Sequence, residues 1–127
     1  MGQDSPIAGV DFVSVPTADY ARAAEFYGAT LGLECSSTYG RIPGGEFETG
    51  SLTLQVVETA SIGVEFRPNA LPIAFHVDDV AAGRADLEAR GVEFGGEILD
   101  TGVCHMAFFK DPDGNPLMLH RRYAPRD

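Results

Sequence analysis

The chain has 127 residues, 44% of them hydrophobic, and a formal net charge of −10. That length supports one domain, and that apolar content excludes disorder. So acidic a chain repels nucleic acid and anionic lipid, no run approaches the ~18 apolar residues of a membrane span, and no basic-then-apolar leader opens it, so a cytoplasmic protein is expected.

The acidity is uneven: residues 1–109 carry five Arg against sixteen Asp and Glu, whereas residues 110–127 carry four basic and three acidic side chains. A ligand is therefore expected to be cationic or neutral, unless the acidity serves solubility alone. Cys35 and Cys104 lie far apart with no CxxC spacing, which points to reduced, buried thiols rather than a disulfide framework.

In chain order, residues 7–15 alternate as a strand, and Pro16-Thr17-Ala18 breaks it. Asp19 is a good N-cap, followed by Tyr20, Ala24, Tyr27 and Leu31 at helical spacing up to Gly32. Glycines 40, 44, 45 and 50 punctuate short strands, of which residues 51–58 form the clearest, with Leu52, Leu54 and Val56 on one face and Thr53, Gln55 and Val57 on the other. Residues 59–71 have no sustained period and read as a connector. The pattern then restarts: a strand over 72–77, a helix capped by Asp78 or Asp79 with Gly91 in the C′ position, and strands over 92–99, 103–109 and 117–121. Asp111-Pro112-Asp113-Gly114-Asn115-Pro116 between the last two strands is dense in turn formers.

Strand, helix and three strands, twice over, is an internal repeat of about sixty residues. The fold class is therefore α+β, with two βαβββ modules in one domain over residues 7–122, the first about 7–58 and the second 72–122, and a tail over 123–127. Two such units side by side, or one set against a partner chain's, can curl their sheets around a shared cup with the helices outside. A homodimer is expected, because one helix covers only one face of each sheet and the remaining edges and faces need cover.

Strand parity identifies the cup face. Ile73, Phe75 and Val77 are the strongly apolar set and pack on the helices, so Pro72, Ala74 and His76 face the other way, with Phe12 and Ser14, Gln55, and Met118 and His120. If the last hairpin pairs Phe109 with Met118, then His105 and Phe109 join them; a one-residue slip puts Cys104, Met106 and Phe108 there instead. A cup of Phe, Met and Pro with a few His, Gln and Ser groups has the makeup of a small-molecule pocket, and the plainer alternative is a dry core between two sheets.

Four stretches, residues 19–33 (DYARAAEFYGATLGL), 73–80 (IAFHVDDV), 87–94 (LEARGVEF) and 111–115 (DPDGN), give the chain a resemblance to the vicinal oxygen chelate superfamily. That superfamily includes glyoxalase I, extradiol dioxygenases, fosfomycin-inactivating thiol transferases and bleomycin-resistance proteins. The resemblance covers both repeats; it implies the fold, not one activity. In its metal-dependent members four ligands come from the cup face, and the matching positions here are Phe12, Gln55, Pro72 and Met118, a set unsuited to a divalent ion. The resemblance therefore implies a binding protein without catalytic residues, metal or cofactor, of the bleomycin-resistance kind, that sequesters an aromatic or cationic natural product or antibiotic. Alternatives are a glyoxalase-like lyase, isomerase or dioxygenase with a rearranged metal centre, for which His76, His105 and His120 are the candidate ligands, and a structural or regulatory module whose cup is filled by its own side chains or by a partner. Cys104 and His105 suggest a nucleophile and its base, but neighbours on a strand point to opposite faces.

Overall fold

In a computed structural model that describes residues 4–126, two four-stranded sheets are built in the same way. β1 (Phe12–Thr17), α1 (Tyr20–Ala24), β2 (Glu34–Thr38), β3 (Gly44–Glu48) and β4 (Thr53–Glu58) form the first module; β5 (Ile73–His76), α2 (Val80–Ala89), β6 (Phe94–Asp100), β7 (Cys104–Lys110) and β8 (Pro116–Arg122) form the second. The strand orders, β1-β4-β3-β2 and β5-β8-β7-β6, correspond element for element, with parallel β1–β4 and β5–β8 pairs at one side of each sheet. This is the α+β arrangement of two βαβββ modules. No helix among the described residues is long and apolar enough to cross a membrane.

The local signals act where the residues put them. Asp19 and Asp79 cap the two helices, accepting the Arg22 and Ala82 backbone N–H groups at 3.2 and 3.0 Å. Gly91 follows α2 at φ +95°, the left-handed conformation a helix stop needs. Asp79→Ala should therefore lower stability by about 1 kcal/mol, read as a lower denaturant midpoint at unchanged m-value. An unchanged midpoint would count against the cap.

α1 widens into a π-helical turn over Glu25–Thr30, closed by the Leu31 N–H on the Phe26 carbonyl at 2.8 Å. The buried stripe keeps regular helical spacing and is deepest at Ala23 and Tyr27, which are fully buried, whereas Tyr20 and Ala24 are only partly so. The connector holds one short 3-10 turn, Thr59–Ile62. β1 starts later than its alternation suggests, because among the described residues it pairs only with β4, and that pairing begins at Phe12 opposite Thr53. Cys35, expected to be buried, is exposed, since β2 is an edge strand with no buried position; Cys104 is buried, and both thiols are free. Of the tail, Asp127 lies outside the described residues.

The helix-bearing faces of both sheets contribute to one core, with Val15, Tyr27, Leu54 and Val56 from the first module and Val80, Ala107, Leu117 and Leu119 from the second. A polar lock joins the modules beside it. Asp111 is 5% exposed, and its Oδ1 accepts the Asp113 and Asn115 N–H groups, both at 2.9 Å, while its Oδ2 accepts the Tyr27 hydroxyl at 2.7 Å and the Asn115 amide at 2.8 Å. Asn115 also donates to the Pro16 carbonyl and accepts the Asn69 N–H, and Asp113 binds Thr17, Ala18 and Arg22. The turn that the Pro, Asp, Gly and Asn content foretells is thus also the tie between modules.

Candidate functional site: two open sheet faces

On the faces turned away from the core, cross-strand register sets the side chains in rows. In the first module Phe12 stands beside Thr53, which stands beside Glu48, and Ser14 beside Gln55, which stands beside Glu46. In the second, Ala74 stands beside Met118 and then Phe108, and His76 beside His120 and then Met106. Phe12 is 47% exposed and the His76 side chain 69%, so within one chain these faces open to solvent and do not close a cup.

Phe12, Ser14, Gln55, His76, Met118 and His120 take the face that parity assigns them. Pro72 sits one residue ahead of β5, outside its ladder. His105 and Phe109 do not belong to the face. The hairpin pairs Phe108 with Met118 and Phe109 with Leu117, one residue away from the register that would have brought them in. Phe109 is buried at 4% in the core. His105 lies with its ring 4.7 Å from that of Tyr123 and its Nε2 3.4 Å from Asp100, whose carboxyl is held below the usual range by the Gly102 N–H and then the Tyr123 hydroxyl. The places expected of His105 and Phe109 go to Met106 and Phe108, so a thioether and an aromatic ring replace an imidazole and a ring.

The two faces differ in character. The second module's is apolar, with Met106, Phe108, Met118 and Ala74, and two imidazoles on one row. The first module's is polar and hydrogen-bonded. Glu48 accepts the Ser36 hydroxyl at 2.5 Å and the Thr53 hydroxyl at 2.7 Å, which hold its carboxyl below the usual range. Ser14 donates to Gln55 at 2.7 Å, Gln55 to the Tyr39 hydroxyl at 3.3 Å, and Tyr39 to Glu46 at 2.5 Å. Tyr39 and Glu46 escaped the sequence reading, although Glu46-Phe47-Glu48 does alternate as a strand should.

The positions where a metal would be held do not fit one. Phe12 offers no donor, Met118 only a thioether, and the single carbonyl oxygen of Gln55 already accepts the Ser14 hydroxyl. Among the described residues no three His, Cys, Asp or Glu side chains converge on a point, and His105 faces away from His76 and His120.

A separate cavity of about 510 Å³ lies on the helix side, at the junction of the modules, walled by Val13, Leu54, Phe75, Leu87 and Leu119 among others and touched by His76 and Phe109. It is largely apolar, apart from a rim where Arg90 pairs with Asp86.

Two βαβββ modules with matching strand order, each backed by one helix and open on its other face, define the paired-module α+β class. The chain belongs to the vicinal oxygen chelate fold family: residues 9–119 match the Glyoxalase/Bleomycin resistance protein/Dioxygenase superfamily. Among solved structures, it is similar to TnmS3, an antibiotic binding protein from Streptomyces sp. CB03234, at 29% identity and TM-score 0.75, over 92% of this chain and 98% of that one. A glyoxalase/bleomycin resistance protein from the same Streptomyces is 28% identical with a TM-score of 0.70, over 89% and 100% of the two chains. A glyoxalase family protein from Enterococcus faecalis is 27% identical with a TM-score of 0.72, over 89% and 97%. Comparison with curated proteins gives no match.

Proposed function

We propose that this protein binds and sequesters a small molecule without a metal, on its open sheet faces, in a cup completed when a second copy sets its apolar face against the polar face of the first. The observation that carries this reading is the replacement of the family's ligand positions by Phe12, Gln55 and Met118 on faces that are exposed in the single chain. The likeness to an antibiotic binding protein supports an antibiotic as the ligand, and the chain's acidity and the Phe and Met side chains on its open faces favour a cationic or aromatic one. Further apolar side chains left exposed, Leu71 at 80% and Leu99 at 48%, favour a homodimer.

A thermal-shift screen against aromatic and cationic natural products, with and without divalent metals, tests the reading, because a ligand of the folded state raises its melting temperature. With the best compound found, His120→Ala should weaken binding by about 1–2 kcal/mol, the scale of a buried hydrogen bond left unmade. Met118→Glu should also weaken an apolar ligand without conferring metal affinity, since one carboxylate cannot hold an ion. Unchanged affinity in both folded variants would remove these faces from consideration. A second reading places the ligand in the junction cavity, whose volume of about 510 Å³ suits a small molecule. Ligand-induced NMR shifts at Phe75 and Leu87, with none at Met118 and His120, would move the site there.

A further inference from the structure

The row Ser14, Gln55, Glu46 crosses three neighbouring strands, and Tyr39 closes it into a chain of hydrogen bonds. Hydroxyls and amides each donate and accept, so three of these four groups could be linked in either direction. The fourth decides. A carboxylate only accepts, so Tyr39 must give its proton to Glu46, and their 2.5 Å separation is that of a charge-assisted bond. With its one proton committed, the Tyr39 oxygen meets Gln55 only as an acceptor. The Gln55 amide must then turn its NH₂ toward Tyr39 and its carbonyl toward Ser14, and Ser14 gives its only proton to that carbonyl.

The groups left free follow. One Gln55 N–H can still donate. Ser14 Oγ and Gln55 Oε1 keep lone pairs and can only accept, although a serine facing solvent would ordinarily offer either. Resting on the reading that these faces bind a small molecule, we propose that the Glu46-anchored relay sets the hydrogen-bond code of the polar half of the cup: a flat ligand with an N–H or O–H donor beside a carbonyl acceptor, as in a lactam, is selected over one carrying acceptors only. An acceptor-only ligand brings its lone pairs against those of Ser14, and a site whose polar groups are left unpaired rejects such an analogue.

The bicyclic lactam 2-quinolone and its lactone isostere coumarin have the same size and shape and differ in one N–H, so they are the probes. Titrated into the ¹⁵N-labelled protein, 2-quinolone should bind at least tenfold more tightly than coumarin. In Glu46→Gln, where residue 46 can donate as well as accept, the ratio should fall below threefold, and Tyr39→Phe, which cuts the relay, should do the same. A readout without ligand checks the relay itself. Burial and the bond to Glu46 both raise the ionisation of the Tyr39 phenol above its ordinary value, so Glu46→Gln should lower it. An unmoved Tyr39 titration, equal binding of both probes to the wild type, or a ratio that survives Glu46→Gln would overturn the code while leaving the binding site in place. Failure of both probes to shift any resonance of either face would overturn the code, whereas failure of every compound in the thermal screen would overturn the small-molecule reading beneath it.

Discussion

Asp111→Ala should destabilise the protein by roughly 3–5 kcal/mol, because it strips partners from the Tyr27 hydroxyl, the Asn115 amide and two backbone N–H groups at once, each orphan worth about 1–3 kcal/mol when buried. Water entering the space left by the carboxylate recovers part of that sum. Domains of this size have only about 5–15 kcal/mol in hand, so the variant should melt about 10 °C or more below the wild type. The removed side chain lies in the turn between β7 and β8, yet its effect should appear in the π-helical turn that continues α1 as well, through Tyr27. Amide exchange tests this directly: the π-helical turn after α1 and the β7–β8 turn should lose protection together. Loss confined to the turn would mean that the lock between modules contributes little.

Tyr27→Phe should cost about 1–3 kcal/mol near neutral pH, leaving Asp111 Oδ2 with Asn115 as its remaining partner. This cost should depend on pH in one direction. Burial first, then the Asp111 charge and its hydrogen bond, push the Tyr27 phenol far above its ordinary value of about 10. A group whose folded-state pKa is raised contributes stability that is fully present below the unfolded value and shrinks as pH climbs above it. The unfolded chain can release this proton above pH ~10 while the folded chain cannot, so the wild type should lose its advantage over Tyr27→Phe between pH ~10 and 11.5. Urea denaturation of both proteins across that range is the measurement. A stability difference that stays constant from pH 7 to 11.5 would contradict the burial of this hydroxyl as an ionisable group.

Much of the frame could be read from residue type alone, because local chemistry sets it. Asp19, Asp79 and Gly91 mark helix ends by capping, and the alternation of Leu52, Leu54 and Val56 with Thr53 and Gln55 marks the two faces of β4 without knowledge of its neighbours. The register of the last hairpin could not be read in the same way. Both faces of residues 104–109 carry apolar groups, so parity alone leaves two answers one residue apart. The turn decides between them: the Asp111 N–H bonds the Asn115 carbonyl, which places Lys110 opposite Pro116 and so Phe108 opposite Met118. Exposure of Cys35 depends on β2 being an edge, a fact of sheet order rather than of its own residues. Tyr39 reaches the candidate site from outside any strand, in a stretch whose glycines hide every period.

The tie between Asp111, Asn115 and the first module has a consequence for the order in which the chain can mature. Pro16, Thr17 and Tyr27 wait for partners some 84 to 99 positions further along. While the chain is being made, all of the first module leaves the ribosome before the residues that satisfy its buried polar groups exist. Contacts of such long sequence separation close late, after the entropy of a long loop has been overcome. The two halves should therefore acquire their final rigidity together rather than one after the other.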